Sequence, residues 1–344
     1  METILFLAHT EADGTLGKAA LETLGAARNL AVSLAGSSFT VGLVGASVEP
    51  AGNQIAGCGA TRFIGAASTE FSQSRYATDA AAAEAIAKAV GATLILAPAG
   101  SRWNRTLPGV AHRLGGRIDT HVTGLAPTDG KPAITRWYYR QRMEGTLTRT
   151  ARPWIVLLES GCAPAWSGAA GSATVESVPV ALPSLRTSVT GLKAPPADKQ
   201  TIRPDAKLLF VAGAGWTKKQ ADGQAHPTEA EQLILGFLKA AQASLGSTKS
   251  LVDLSGEGQA VLKFMSHLNQ VGQTGSTPRH PKGLATCCHG EEPHTVGWRF
   301  IGERRAVNLN AGCSWAQGKA DVLYVADAFA VVREVNRLLA SRPN

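Results

Sequence analysis

A chain of 344 residues, 44% hydrophobic and 17% charged, is long enough to bury two cores and too apolar to be disordered. A net charge of +8 at pH 7 would suit nucleic acid, but the basic residues are scattered and no nucleic-acid partner is expected. No apolar run reaches membrane-span length. Five cysteines without CxxC spacing, behind an N-terminus with no basic leader, point to the cytoplasm.

Residues 3–8 open the chain as an apolar strand, and Leu16, Ala20, Leu24 and Ala27 recur behind it at helical spacing. Residues 41–44 and 61–64 read as strands, and the alanine-rich stretch 77–90 reads as a helix. Residues 93–97 form the near-continuous apolar run of a buried parallel strand. Extended segments follow at 134–140, 154–158 and 173–180, so the pattern is α/β with a partly antiparallel extension. In that extension Trp137, Tyr139 and Gln141 share one side. Arg136, Tyr138, Arg140 and Arg142 share the other, as on a solvated sheet face; an acidic partner protein is the next reading. The first strand–helix turn carries Glu11 and Asp13 where a dinucleotide turn needs G-x-G-x-x-G, so no nucleotide is expected in that loop.

Aperiodic sequence with Pro195 and Pro196 then separates two domains. The expected boundaries are an N-terminal α/β domain at 1–185, a linker at 186–203 and a C-terminal domain at 204–344. The second domain begins with a strand at 207–212 and a turn, Gly213-Ala214-Gly215. Thr228 and Glu231 have capping-box spacing. Leu233, Ile234, Phe237, Leu238, Ala241 and Leu245 then line a helical face that Gly246 would end. Further strands are expected at 251–254, 284–288, 305–309 and 322–325, with a last helix at 328–339. Each domain is therefore expected to be an open, mostly parallel sheet flanked by helices.

Ligands of such sheets lie beyond the carboxyl ends of the strands. Gly213 and Gly215 follow the first strand of the second domain, Asn308 and Asn310 end the fourth, and Asp327 ends the fifth. The loop Gln270-Val271-Gly272-Gln273-Thr274-Gly275 precedes the third strand and must fold back to join them. Its glycines let backbone N–H groups approach a ligand, while Gln273 and Thr274 supply side-chain contacts. Asn308 and Asp327 suit an adenosine or ribose, or else simply cap a turn and the final helix. Cys287, Cys288, His289 and His294 invite a zinc reading, but adjacent cysteines seldom reach one metal and no metal is expected. No G-x-S-x-G elbow or P-loop occurs.

The intact loop from Gln270 to Gly275, Ala306-Val307-Asn308, Val325-Ala326-Asp327 and Thr248-Lys249-Ser250-Leu251-Val252-Asp253 together resemble the flavin domain of the electron transfer flavoprotein alpha subunit. The resemblance runs along the chain and is specific from about Lys207. The chain also departs from that family. The arginine of G-R-G is Ala214 here, and the arginine of S-R-P-x-V-D is Lys249. The Q-H pair reads His294-Thr295, and the serine of G-I-S-G reads Gly290. These departures leave the fold expectation standing and bear on binding mode and redox tuning.

The resemblance implies a Rossmann-like C-terminal domain that binds FAD. Its candidate contacts are Gly213, Gly215, Thr248, Lys249, Gln270, Val271, Gly272, Gln273, Thr274, Gly275, Gly290, His294, Thr295, Asn308, Asn310 and Asp327. A beta-type subunit would pack on the N-terminal domain, with AMP as a candidate nucleotide of its own. Electrons would arrive from a flavin dehydrogenase and leave to a quinone reductase or other acceptor, with no catalytic residue required. Two alternatives stand beside this: a structural or regulatory subunit without flavin, and an NAD-binding enzyme domain on the same sheet. Lys249 has its own pair of readings, a cation beside a flavin or a solvated loop lysine.

Overall fold

The structure, a computed structural model, describes residues 1–138, 143–191, 202–203, 206–253, 262–272, 277–286, 300–311 and 320–341. The chain divides into two compact units, Met1–Leu192 and Lys193–Asn344.

In the first unit the described elements are β1 (Thr3–His9), α1 (Lys18–Ser33), β2 (Ser38–Gly45), α2 (Glu49–Gln54), β3 (Arg62–Ala67), α3 (Tyr76–Val90), β4 (Leu94–Pro98) and α4 (Ser101–Arg113). They continue with β5 (Arg117–Thr128), β6 (Lys131–Tyr138), β7 (Met143–Leu147), β8 (Trp154–Leu158) and β9 (Glu176–Ser177). One sheet takes all nine strands in the order β7-β6-β5-β8-β4-β1-β2-β3-β9. Its pairs are parallel except β5–β6 and β6–β7. The apolar runs of β4 and β8 are buried along their whole length, as strands covered on both faces require. Alternation divides β1 between two cores. Ile4, Phe6 and Ala8 pack with Leu24 and Leu30 of α1, while Leu5 and Leu7 pack with Ile86, Trp103 and Leu107 of α3 and α4.

The antiparallel extension is not simply a solvated face. Arg136 donates to Asp119 Oδ1 at 2.8 Å and keeps only 18% of its side chain exposed. Asp119 is fully buried and also accepts from Arg149 and from Trp154 Nε1 at 2.9 Å. Burial alone would raise its carboxyl pKa. The bonds from Arg149, Trp154 and Arg136 outweigh that and hold it below the ordinary range. Residues 139–142, the other half of the alternating stretch, lie outside the described residues.

In the second unit the described elements are β10 (Leu208–Ala212), a 3-10 turn (Ala214–Thr217), α5 (Pro227–Ala241), β11 (Ser244–Ser247), α6 (Lys249–Asp253), β12 (His280–Thr286), β13 (Ile301–Asn308), β14 (Val322–Val325) and α7 (Ala328–Ala340). The sheet runs β11-β10-β12-β13-β14, parallel throughout. Phe210, Trp216, Ile234, Phe237 and Phe329 form the core between this sheet and α5 and α7.

Three sequence expectations need correction here. Residues 251–254 were expected as a strand, but Lys249–Asp253 is a helix and the strand beside β10 is Ser244–Ser247. A short apolar run such as Leu251-Val252 fits either period, so spacing could not decide. Leu245 and Gly246 accordingly belong to β11, not to the end of α5. That helix stops at Ala241, because Gln242 turns left-handed (φ 49°) and returns its N–H to Leu238 O. Nor is there a capping box at Thr228. Pro227 takes the first helical position, which its fixed φ favours, and His226 at the N-cap makes no side-chain cap bond.

Candidate cofactor site

The chain leaves β10 through α5 to β11 on one side, then returns to β12 on the other. The connection therefore changes direction between β10 and β12, where open parallel sheets bind ligands at their carboxyl edge. Gly213 starts its turn by donating its N–H to Thr286 O, at the end of β12, at 2.9 Å. The carbonyls of the turn are occupied. Gly213 O accepts from Trp216 N, Ala214 O from Thr217 Oγ1 at 3.1 Å, and Gly215 O from Gln220 Nε2 at 3.0 Å. Ala214 is buried in the core.

The loop before β12 does fold back. Val271 N donates to Ser247 O at 3.0 Å, and Gln270 bridges Ser247 in parallel pairing. A Cβ on Gly246 would lie 2.5 Å from Val271 Cγ2, so glycine is what lets the loop lie against β11. Gly272 (φ 82°) donates to Thr277 Oγ1 at 2.7 Å. Thr248 N donates to Ala212 O at 2.9 Å. These bonds gather Thr248, Gln270, Val271 and Gly272 at the ends of β10 and β11. Lys249 stands beside them as the first residue of α6, with its ammonium 3.3 Å from Asp253 and half its side chain exposed.

A second group lies at the other end of the rim. Asn308 ends β13, is 2% exposed, and accepts from Asn310 N through Oδ1 at 3.1 Å. Asp327 caps α7, accepting from Ala330 N at 2.8 Å. Both capping roles foreseen for these residues therefore exist. A small cavity of about 10 Å³, room for about one water, lies among Gln220, Asn308 and Asp327. Gln220 bonds Gly215 O and lines this cavity, linking the two groups. Three strand spacings separate the ends of β11 and β13, roughly 14 Å.

Polar atoms at both ends are left over. Ser247 Oγ, Thr248 Oγ1 and Asn308 Nδ2 are buried without a hydrogen-bond partner in the structure. Buried polar atoms are normally paired, so three at one sheet edge mark capacity for a polar ligand. This donor and acceptor set fits a dinucleotide laid along the rim. Gln273, Thr274, Gly275, Gly290, His294 and Thr295 lie outside the described residues, as do Cys287 and Cys288. Sequence reasoning passed over Ser247, Gln220, Trp216 and Thr286. Trp216 directly follows the glycine turn, and its position was the available signal.

The corresponding edge of the first unit is occupied by its own side chains. Asp13 accepts from Thr15 N and Oγ1, closing the acidic turn on itself. Thr10 Oγ1 donates to Ser47 O at 2.9 Å. His9 packs edge-on against Trp103 with ring centroids 5.8 Å apart. Burial, then the Arg102 guanidinium, push the His9 pKa down to about 4. Arg102 itself forks onto the buried Asp79 at 3.0 and 2.6 Å. His121 (φ 57°) meets Glu159 at 3.0 Å, and that hydrogen bond raises its pKa. A separate open groove of about 380 Å³ lies between α1 and residues 164–168, lined by Arg28, Asn29 and Trp166. Among the described residues no group of three or more His, Cys, Asp or Glu is placed to hold a metal, and no helix is long and apolar enough to cross a membrane.

No curated protein matches the chain significantly. The family model of the electron transfer flavoprotein domain matches residues 4–183, the greater part of the first unit and more than half of the sequence. The chain belongs to the electron transfer flavoprotein domain family.

Proposed function

We propose that this protein is an alpha-type subunit of a heterodimeric electron transfer flavoprotein, with FAD held along the carboxyl edge of the second unit's sheet. The observation that carries this reading is the set of buried, unpaired polar atoms at that edge: Ser247 Oγ, Thr248 Oγ1 and Asn308 Nδ2. They stand beside the loop Gln270-Val271-Gly272, which backbone pairing fastens to β11. The roughly 14 Å between the ends of β11 and β13 suits a dinucleotide spanning the rim.

When bound, FAD supplies the group that takes up and gives back electrons. The chain's own residues bind and orient. Thr248, Gln270 and Gly272 hold one end of the cofactor, with Gln273, Thr274 and Gly275 completing the loop. Asn308 and Asn310 take the other end, and Asp327 accepts from a ribose or adenine amino group. Gly213 and Gly215 let the backbone approach between them. Gly290, His294 and Thr295 complete the set by resemblance. Residues 1–185 take a beta-type subunit, with 186–203 as linker and 204–344 as cofactor domain. Electrons enter from a flavin dehydrogenase and leave to a quinone reductase or other acceptor.

The test is the visible spectrum of the full chain purified with the subunit that accompanies it. Flavin absorbance at one FAD per chain is expected. Colourless protein that takes up no added FAD overturns the reading in favour of a subunit without flavin, and saturable NAD binding without flavin favours a nicotinamide domain.

A further inference from the structure

The glycine turn at the end of β10 is tied to its neighbour strand twice, through one residue. Thr286, the last residue of β12, takes Gly213 N–H on its carbonyl at 2.9 Å and the indole N–H of Trp216 on its hydroxyl at 2.9 Å. The hydroxyl in turn donates to Val211 O at 3.3 Å, back on β10. Both side chains are fully buried. Trp216 cannot drift, because its ring lies 4.6 Å from Phe329 and 6.4 Å from Phe210, between the sheet and α7. The two anchor points, Gly213 and Trp216, bracket the turn at both ends.

We propose that Trp216 and Thr286 are positioning residues that fix the Gly213–Gly215 turn against the end of β12 and so set the shape of the cofactor rim where the chain changes direction. The inference rests on the FAD reading given above. Its physical basis is preorganisation: a turn already held in the bound geometry loses less freedom when ligand arrives. An aliphatic residue at 216 would pack but could not hold Thr286. The indole N–H and the threonine hydroxyl supply direction that packing alone lacks. A buried hydroxyl left without that donor keeps only its own bond to Val211 O.

The experiment uses the full chain purified with its accompanying subunit, stripped of flavin and titrated with FAD. Trp216→Phe keeps a buried aromatic ring and deletes the donor. Thr286→Val keeps the shape and deletes the acceptor. Each is expected to weaken FAD binding roughly three- to tenfold, the scale of one hydrogen bond, and to shift the flavin potential. The double variant is expected to be no weaker than Thr286→Val alone, because that change already removes the shared bond together with the one to Val211 O. Thr286→Ser, which retains the hydroxyl, is expected to restore binding and potential. Lower thermal stability with unchanged FAD affinity and potential in both single variants would assign the pair to packing and overturn the proposal. Additive losses in the double variant would overturn it too. Unsubstituted protein that takes up no FAD would end the cofactor reading itself, a result distinct from these.

Discussion

The two units share an architecture and differ in what they do with the carboxyl edge of the sheet. In the first, polar groups there are largely consumed internally: Arg102 by Asp79, Thr10 by Ser47, His121 by Glu159, Asp13 by Thr15. Its leftover atoms include Arg75 Nε, just before α3, and His9 Nδ1 and Trp103 Nε1, which belong to one pair of packed rings. In the second, the leftover atoms sit at the ends of two strands, β11 and β13. The comparison teaches that a doubly wound sheet does not by itself make a binding site. The edge becomes available only where side chains leave hydrogen-bonding capacity unspent.

The sharpest way to break that contrast is to open the first unit's internal pairing. Arg102→Ala would leave the fully buried Asp79 without its fork, a change expected to cost about 3–5 kcal/mol. Hydrogen exchange followed in both units should show the loss in Met1–Leu192 and leave β10 to β13 protected; equal loss in both would refute the separation.

The next effect depends on pH. His9 is held neutral, with a folded pKa of about 4 against an ordinary 6.5. The unfolded chain therefore binds the extra proton first. The stability from a neutral His9 is complete above the unfolded pKa and is lost as pH falls from there through about 4, up to about 3 kcal/mol. Denaturant unfolding of His9→Phe across that window should show a flatter pH profile than the unsubstituted protein. A parallel profile would mean that other groups govern the acid loss.

Smaller still are the changes that separate capping from cofactor contact in the second unit. Asp327→Ala should lower stability by about 1 kcal/mol through loss of the α7 cap, and Asp327→Asn should recover most of it. FAD affinity that falls equally in both variants would assign the carboxylate to the ligand as well as to the helix. The smallest effect is expected at Lys249, whose half-exposed ammonium already pairs with Asp253. Lys249→Ala should change stability by less than about 0.5 kcal/mol. It should move the flavin potential by less than about 59 mV, a tenfold change in a one-electron equilibrium. A larger shift in potentiometric titration would show that lysine reaches the ring.

Much of this was written in local patterns. The buried runs at β4 and β10 announced a parallel sheet, because strands covered on both faces need continuous apolar sequence, whereas residues 154–158, read as part of an antiparallel extension, lie in β8 parallel to β4 and β5. For Asp327 the capping alternative was legible beside the cofactor reading, since its capping oxygen reaches only three residues ahead. The family relation was legible too, although the motifs that suggested it lie from Lys207 onward while the family model matches 4–183. The errors came where a local signal had two solutions. Leu251-Val252 fits helix or strand, and Thr228 had capping spacing in a segment where Pro227 already sets the first turn.

Sequence alone determined which segments prefer to be extended or helical and which residues had chemistry suited to a cofactor, because periodicity and residue type act over a few positions. Tertiary structure decided the rest. The small residues of β11 let Val271 lie against Gly246, Thr286 reached Gly213 and Trp216 from more than sixty positions away, and Asn308 was buried with an amide left unpaired. Such contacts join residues distant in the chain. Whether a polar group is satisfied depends on the neighbours that folding brings to it, which no local spacing records.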